Sequence, residues 1–472
     1  MSDRLTSLDA SFLYLEEPTT AMHVGSVMVF QPPGDGFDHD KLVRIIENRI
    51  GAIPRFRQKV RDVPGRIANP VWVDDEAFDM SYHVRRTGLP RPGTDEQLQD
   101  FVARVQPRRL DRTRPLWEVY YVEGLTGGRF AIVTKTHHAL IDGVNALDIA
   151  HVIVDSARGD GLGASQRWEP RASPSSVELV AGAVVDAVRR PRQVLDLVRG
   201  GLNDALNVGL KAVESAGAVV SAVARTAARP APTSPLNAEV GSARRWIMVA
   251  TDLEDYRAVR KRLAKGAYAE DVTINDVVLA TIAGGFRAWL LARGEPVHGG
   301  SVVRAMVPVS VYGDDPAGMY ANQVMACVVS LPVGEPGASM RLHQIAFAMR
   351  QQMEGGQAVG ATALANLAGF APPTLHALGA RLGSAMSRRL FNVMITNVPG
   401  PQTPLYAGDA EMLSTYPVTP LARGQALSIG ITSYNGGVYY GLNADRDAMP
   451  DVDELGQSIV ESLAELRSGR ES

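Results

Sequence analysis

Apolar and polar positions change period several times along the chain. "HVGSVMVFQ" from His23 and "RFAIVTKTHH" ending at His138 read as strands, whereas "HDKLVRIIENRI" from His39 spaces its apolar residues three and four apart, as an amphipathic helix does. Over roughly the first 155 residues this mixture predicts an α/β layered domain. From Arg158 to about Asn237 the chain turns to Ala, Val, Arg, Gly and Pro, with helical patches such as "VELVAGAVVDAVRRPRQVLDLVRGGL" broken by Pro191 and Gly200. This predicts a helical connector. From Gly241 the alternation resumes: "RRWIMVATDL", the helix "TINDVVLATIAGGFRAWLLARG", then "SVVRAMVPVSV", "FNVMITNVPGP", "ALSIGITSYNGGVYYGLNAD" and a final helix from Val452 to Leu466. The fold class is therefore α/β (α+β layered), with domains at 1–158 and 241–472 and a connector at 159–240. No fixed-period repeat is visible, which removes solenoids and propellers.

Composition narrows the function classes. A chain of 472 residues, 45% hydrophobic and 21% charged, is long enough for two domains and a large core. A formal charge of −3 offers nothing to nucleic acid. The single cysteine, Cys327, lies in the apolar run "VMACVVS" and reads as a core thiol. Asp3, Arg4 and Asp9 stand where a secretory leader needs apolar residues, so a cytoplasmic protein is expected. Two long uncharged stretches, Pro316 to Gly334 and Gly355 to Ala380, are interrupted by Pro, Gly and polar residues every few positions, which suits packed core or a lipid-facing groove better than a bilayer span.

Candidate chemistry concentrates in "TKTHHALIDGVN", Thr134 to Asn145. On a strand His137 and His138 point to opposite faces, a poor arrangement for gripping one metal, and the next histidine is His151; no metal site is expected. Taken singly, each histidine reads as a hydrogen-bonded core or rim residue, Asp142 as an N-cap and Gly143 as a tight-turn glycine. Strand end followed by a helix, here Val144 to Ala157, is also where chemistry commonly sits. A near-neutral histidine there is a natural general base. The ordered set His137, His138, Asp142 and Gly143 arises by chance in about one chain in a thousand.

This His-His-x-x-x-Asp-Gly pattern resembles the signature of the CoA-dependent acyltransferase superfamily. Further blocks resemble one branch of it, the bacterial wax ester synthase/diacylglycerol acyltransferases: Pro115-Leu116-Trp117, the Asn275-Asp276 pair, "RAMVPVSVYGDDPAGMYANQV", "TNVPGPQTPLYAGDA", "SYNGGVYYGLNADRDAMPD" and the opening "LTSLDASFLYLEEPTTAMHVGSV". The resemblance implies two chloramphenicol-acetyltransferase-like domains with the active site in a channel at their interface. His138 would be the base and Asp142 the organiser, supported by His137, Gly143, Asn275, Asp276 and Arg304, with Pro115, Leu116 and Trp117 at the substrate channel. Asn275 or a backbone N–H would donate to the oxyanion, and Arg304 would pair with Asp142. The residues by themselves also allow Pro115, Leu116 and Trp117 to be core packing and Asn275 a hydrogen-bonding residue at a helix start. The implied partners are acyl-CoA, as substrate with no cofactor, and diacylglycerol or a long-chain alcohol, with peripheral contact to the inner membrane face or lipid droplets through the connector and residues Gly355 to Ala380. A free-standing condensation-type acyltransferase, a relative acylating a small polar alcohol and a non-catalytic lipid-binding protein stay open at this point.

Overall fold

The computed structural model describes residues 3–34, 36–51, 53–141, 149–159, 168–189, 230–263, 272–311, 323–354, 359–360 and 390–469. In the first half, alternating apolar residues build a six-stranded sheet ordered Tyr406–Ala407, Ala410–Val418, His23–Gln31, Phe130–His137, Trp117–Glu123, Val84–Gly88. It is antiparallel apart from the last pair. On one face lies the helix His39–Ile50, whose Leu42, Ile46 and Ile50 enter a core with Phe30, Trp117 and Ile132. Its first turn is fixed by the Asp38 carboxylate, which accepts from the Lys41 N–H at 2.8 Å. On the other face lies the helix Asp95–Val105, started by a capping box of Thr94 and Gln97.

The second half forms a seven-stranded sheet ordered Val359–Gly360, Gln323–Leu331, Val303–Val311, Val393–Pro399, Leu427–Tyr434, Gly437–Asp445, Arg244–Asp252. Its inward positions, Val307, Cys327, Ile395, Ile429 and Leu442 among them, are covered by the helices Ile274–Ala292, Ala338–Glu354 and Val452–Ser468. The helix Ile274–Ala292 is long and apolar enough to cross a bilayer by length and composition, and it is mostly buried against this sheet and its helical neighbours. Gly285 permits the close helix contact, because a Cβ there would meet Ile459 Cγ1 at 2.8 Å.

The halves are interwoven. Ala410–Val418 belongs to the second half in sequence, yet it pairs antiparallel with His23–Gln31 and completes the first sheet. Trp246 and Val418 share a core with Val27, Leu98, Phe101 and Val133. Residues 168–189 strap back onto a small sheet of Asp3–Arg4, Val71–Asp74 and Gln58–Arg61: the Arg171 N–H donates to Asp74 at 3.0 Å, and Arg61 donates to the Pro174 carbonyl at 2.6 Å. The helix Ser176–Arg189 buries Leu179 and Ala183 against Val63, Val71 and Val73.

One expectation changes and one holds. Of the expected helix Val144 to Ala157, the described part ends at Ile153, because Asp155 leaves the helix to form a two-way backbone bridge with Tyr406, each N–H donating at 2.8 Å. Of the uncharged stretch Pro316 to Gly334, Gln323–Leu331 is a strand next to the sheet's short edge strand, with Cys327, Val329 and Leu331 in the core, as the packed-core reading expected. The stretch Gly355 to Ala380 lies outside the described residues except for the short strand at 359–360, and so does the connector from 190 to 229.

Candidate active site

The strand Phe130–His137 is buried along its whole length and ends at the histidine pair, where His138 opens a single 3₁₀ turn, His138–Leu140. Main-chain hydrogen bonds from both flanks fix this end: the His137 N–H donates to Leu116 O at 2.9 Å and the His138 N–H to Met22 O at 2.8 Å. The neighbouring strand comes very close at Gly25, where a Cβ would stand 2.0 Å from the Thr134 carbonyl oxygen. Pro115, Leu116 and Trp117 form the second support. All three are buried, Leu116 and Trp117 without exposed surface, and the Trp117 indole donates to Phe56 O at 2.7 Å and stacks on His83 at 4.4 Å. Expected at the substrate channel, these residues pack as the foundation of the histidine strand, since sealed side chains present no surface to a substrate.

The two imidazoles have different surroundings. His137 is sealed; its Nδ1 accepts from the Ala139 N–H at 3.0 Å, so the neutral ring carries its proton on Nε2, 3.8 Å from Glu16 Oε1. Burial, then the neighbouring His23, push its pKa down to about 3. His138 lies against the opposite wall, its ring stacked on Phe12 with centroids 4.0 Å apart and planes 19° off parallel. Its Nδ1 is buried with no hydrogen bond to any other described residue, while the residue as a whole keeps partial exposure. Burial pushes its pKa below the usual histidine value, against a smaller upward pull from its own main-chain carbonyl. Both histidines are therefore neutral at physiological pH.

Glu16, immediately after the helix Ser7–Leu15, sits beneath the pair with a side chain only 1% exposed. Its Oε2 accepts from Arg112 Nη2 at 2.7 Å and Arg109 Nη2 at 3.1 Å, and its Oε1 lies 3.2 Å from His23 Nε2. Burial alone would raise its pKa, but His23, His137 and Arg112 outweigh it and hold the carboxyl well below the usual carboxylate range. His23 is opposite His137 in the strand register, and its Nδ1 faces Gln106 O at 3.3 Å; burial pushes its pKa down and Glu16 pulls it partly back. Here the halves meet: His23, Gln106, Arg244, Leu421 and Asn443 border one cleft, and Arg244 donates to Thr19 O. No group of three His, Cys, Asp or Glu among the described residues is arranged to hold a metal ion.

The other candidate residues separate into distinct places. Asp276 is the capping-box partner of Thr273 at the start of Ile274–Ala292, accepting from the Thr273 N–H and hydroxyl, each at 2.8 Å. Asn275 does not cap this helix, because Thr273 does; its Oδ1 accepts from Asn397 Nδ2 at 3.0 Å, tying "TINDVV" to "NVPGP" and leaving the Asn275 Nδ2 outside that contact. Arg304 is half-buried, with its main chain clasped by Asn392, whose side chain accepts at 2.8 Å and whose N–H donates at 2.7 Å. Its expected partner Asp142, together with Gly143, lies outside the described residues. Sequence reasoning passed over Phe12, Glu16, His23, Arg109 and Arg112. The first three stand in the opening block "LTSLDASFLYLEEPTTAMHVGSV", whose acidic "LEE" reads as an ordinary solvated surface.

Comparison with known proteins bears on this geometry. The family model for the wax ester synthase/diacylglycerol acyltransferase catalytic domain matches residues 5–278, and that for the WS/DGAT C-terminal domain matches 320–467. A probable diacylglycerol O-acyltransferase of Mycobacterium tuberculosis, tgs1, is 31% identical over 466 residues, covering 98% of this chain and 96% of the relative. A second, tgs3, is 44% identical over 263 residues, covering 56% of this chain and 97% of the relative. Among solved structures, the wax ester synthase/diacylglycerol acyltransferase from Marinobacter aquaeolei VT8 superposes with a TM-score of 0.69 at 27% identity, covering 98% of both chains. The first condensation domain of the CDA synthetase, with a TM-score of 0.57 at 17% identity over 100% of this chain and 97% of that one, shares the fold.

Proposed function

The chain belongs to the wax ester synthase/diacylglycerol acyltransferase family, and from that premise we propose that it moves a long-chain acyl group from acyl-CoA to the free hydroxyl of diacylglycerol, with long-chain alcohols as a second class of acceptor. One observation carries the reading. His138 is a neutral imidazole at a strand end, with Nδ1 sealed and the residue still partly exposed, so Nε2 is the nitrogen left to meet a substrate. Nε2 takes the hydroxyl proton as the oxygen attacks the thioester carbonyl. The tetrahedral oxyanion then collapses, the C–S bond breaks, and the same imidazole protonates the leaving CoA thiolate. The Nδ2 of Asn275, or a backbone N–H, is our candidate oxyanion donor, and Asp142 our candidate organiser. The reaction as written uses no cofactor and no covalent acyl-enzyme. Cys327 is buried in the core with its pKa raised by that burial, which does not suit a nucleophile.

Both substrates are lipids, and the proposal places the enzyme in the cytoplasm, peripherally on the inner membrane face or on lipid droplets. The helix Ser176–Arg189 supports this with outward-facing Val177 and Val185, beside an exposed Ile67. The test is purified protein with palmitoyl-CoA, offered dioleoylglycerol and hexadecanol in parallel, measuring CoA release and product lipid. Product is expected with both acceptors, and His138→Ala should lose at least about a hundredfold in kcat with its circular dichroism unchanged. Full activity of that variant sinks the mechanism, and absence of product from the parent chain sinks the function.

A further inference from the structure

A general-base histidine is ordinarily held in plane by an acceptor on its second ring nitrogen. No other described residue supplies one to His138: its Nδ1 is buried, with only its own main-chain carbonyl acting on the ring. What contacts the ring plane instead is Phe12, in near-parallel stack at 4.0 Å. The helix Ser7–Leu15 that carries Phe12 is built to hold it there. Thr6 caps it by accepting from the Asp9 N–H at 3.1 Å, its Ala10 and Leu13 are buried in the core beside Ala139 and Leu140, and Glu16 just beyond its end is clamped by Arg109 and Arg112.

We propose that Phe12 is a positioning residue for the acyl transfer: its ring fixes the plane of the His138 imidazole and closes one face to water, leaving the Nε2 edge as the side open to substrate. A ring tethered by no other residue has a broad torsional profile about its second side-chain bond, so a packed aromatic neighbour narrows it to one orientation. Covering that face also keeps the imidazole desolvated and neutral. The titratable and charged groups on the packed elements are Asp9, Tyr14 and Glu16 on the Phe12 helix and its end, Arg109 and Arg112 on Glu16, His23 on the adjacent strand and His137 next in sequence. Glu16 and His23 face His137. Asp142 lies outside the described residues.

The inference rests on His138 being the base, so His138→Ala is run in the same assay. Full-length Phe12→Ala, Phe12→Leu and Phe12→Tyr are compared with the parent chain in initial-rate CoA release from palmitoyl-CoA with dioleoylglycerol, across about pH 5–8. Phe12→Leu keeps an apolar side chain of similar bulk and removes the flat ring. It should lose roughly ten- to a hundredfold in kcat with KM changed less than about threefold. Phe12→Tyr should stay within about threefold of the parent. In Phe12→Ala and Phe12→Leu the acid limb of kcat/KM should move to higher pH, toward the ordinary histidine value of about 6.5, as water reaches the ring. If Phe12→Leu is folded and matches the parent in both kcat and acid limb, the stack is packing only and the inference falls, even when Phe12→Ala fails to fold. If His138→Ala keeps parent activity, it is the reading of the base that fails.

Discussion

Replacing Glu16 by Gln removes one charge from beneath the histidine pair while keeping the side chain's size. The carboxylate accepts from Arg112 at 2.7 Å and Arg109 at 3.1 Å and lies 3.2 Å from His23. Breaking a buried ion pair from one side costs about 3–5 kcal/mol. The two arginine side chains are 39% and 42% exposed and regain water when released, so the low end applies, about 3 kcal/mol. With an unfolding entropy near 2.1 cal/mol/K per residue, a cooperative melt should shift by about 3 °C, and by more if the first half melts separately. The pH dependence follows from the sign of the shift. The folded-state pKa of Glu16 lies below its unfolded value, so its ionisation stabilises the fold above about pH 4.3 and that contribution is lost as pH falls toward the folded value. The melting gap between parent and Glu16→Gln should therefore be constant from about pH 6 to 8 and narrow below about pH 4.5. Turnover should fall roughly tenfold, because His137 loses the carboxylate 3.8 Å from its Nε2 and the strand end carrying His138 loosens. Differential scanning calorimetry across that range, paired with CoA-release kinetics, measures both. A gap under 1 °C, or one that does not narrow in acid, refutes the assignment of an ionised, structure-bearing Glu16.

Trp117→Phe should lower stability by about 1–3 kcal/mol, since it leaves the Phe56 carbonyl without the indole N–H at 2.7 Å; urea unfolding checks this. Asn275→Ala and Asn397→Ala should not add: a double-mutant cycle on kcat or stability should show about 0.5–1.5 kcal/mol of coupling through their hydrogen bond at 3.0 Å, and simple additivity would refute the link.

Legibility from sequence followed the range of the interactions involved. "HDKLVRIIENRI" matches the helix His39–Ile50 residue for residue because its apolar spacing and Asp38 cap are local signals. The hairpin in "SYNGGVYYG" is equally local, with Asn435 and Gly436 taking the positive φ of 43° and 85° that its turn demands. Strand alternation alone set the two histidines on opposite faces; it was the family resemblance that singled out His138. Glu16, by contrast, has His23 nearby in sequence but its other partners at 109, 112 and 137, and no window on the sequence brings them all together. The buried packing of Pro115, Leu116 and Trp117 was one of two readings open to a short apolar motif, and only their neighbours decide between them. The strand Ala410–Val418 was missed because "AEMLSTYPV" alternates weakly and draws its order from His23–Gln31 at the far end of the chain.

That strand also sets a clock on biosynthesis. The edge of His23–Gln31 that it covers emerges from the ribosome early and waits for its partner until Val418 has been made, roughly 20–80 s later at about 5–20 residues per second. For that interval the sheet that holds the histidine strand has an unpaired apolar border, the kind that recruits other chains. Truncation anywhere in the connector makes the interval permanent. The unit that folds is the whole chain, and expression of the first half alone should give aggregate rather than a smaller enzyme.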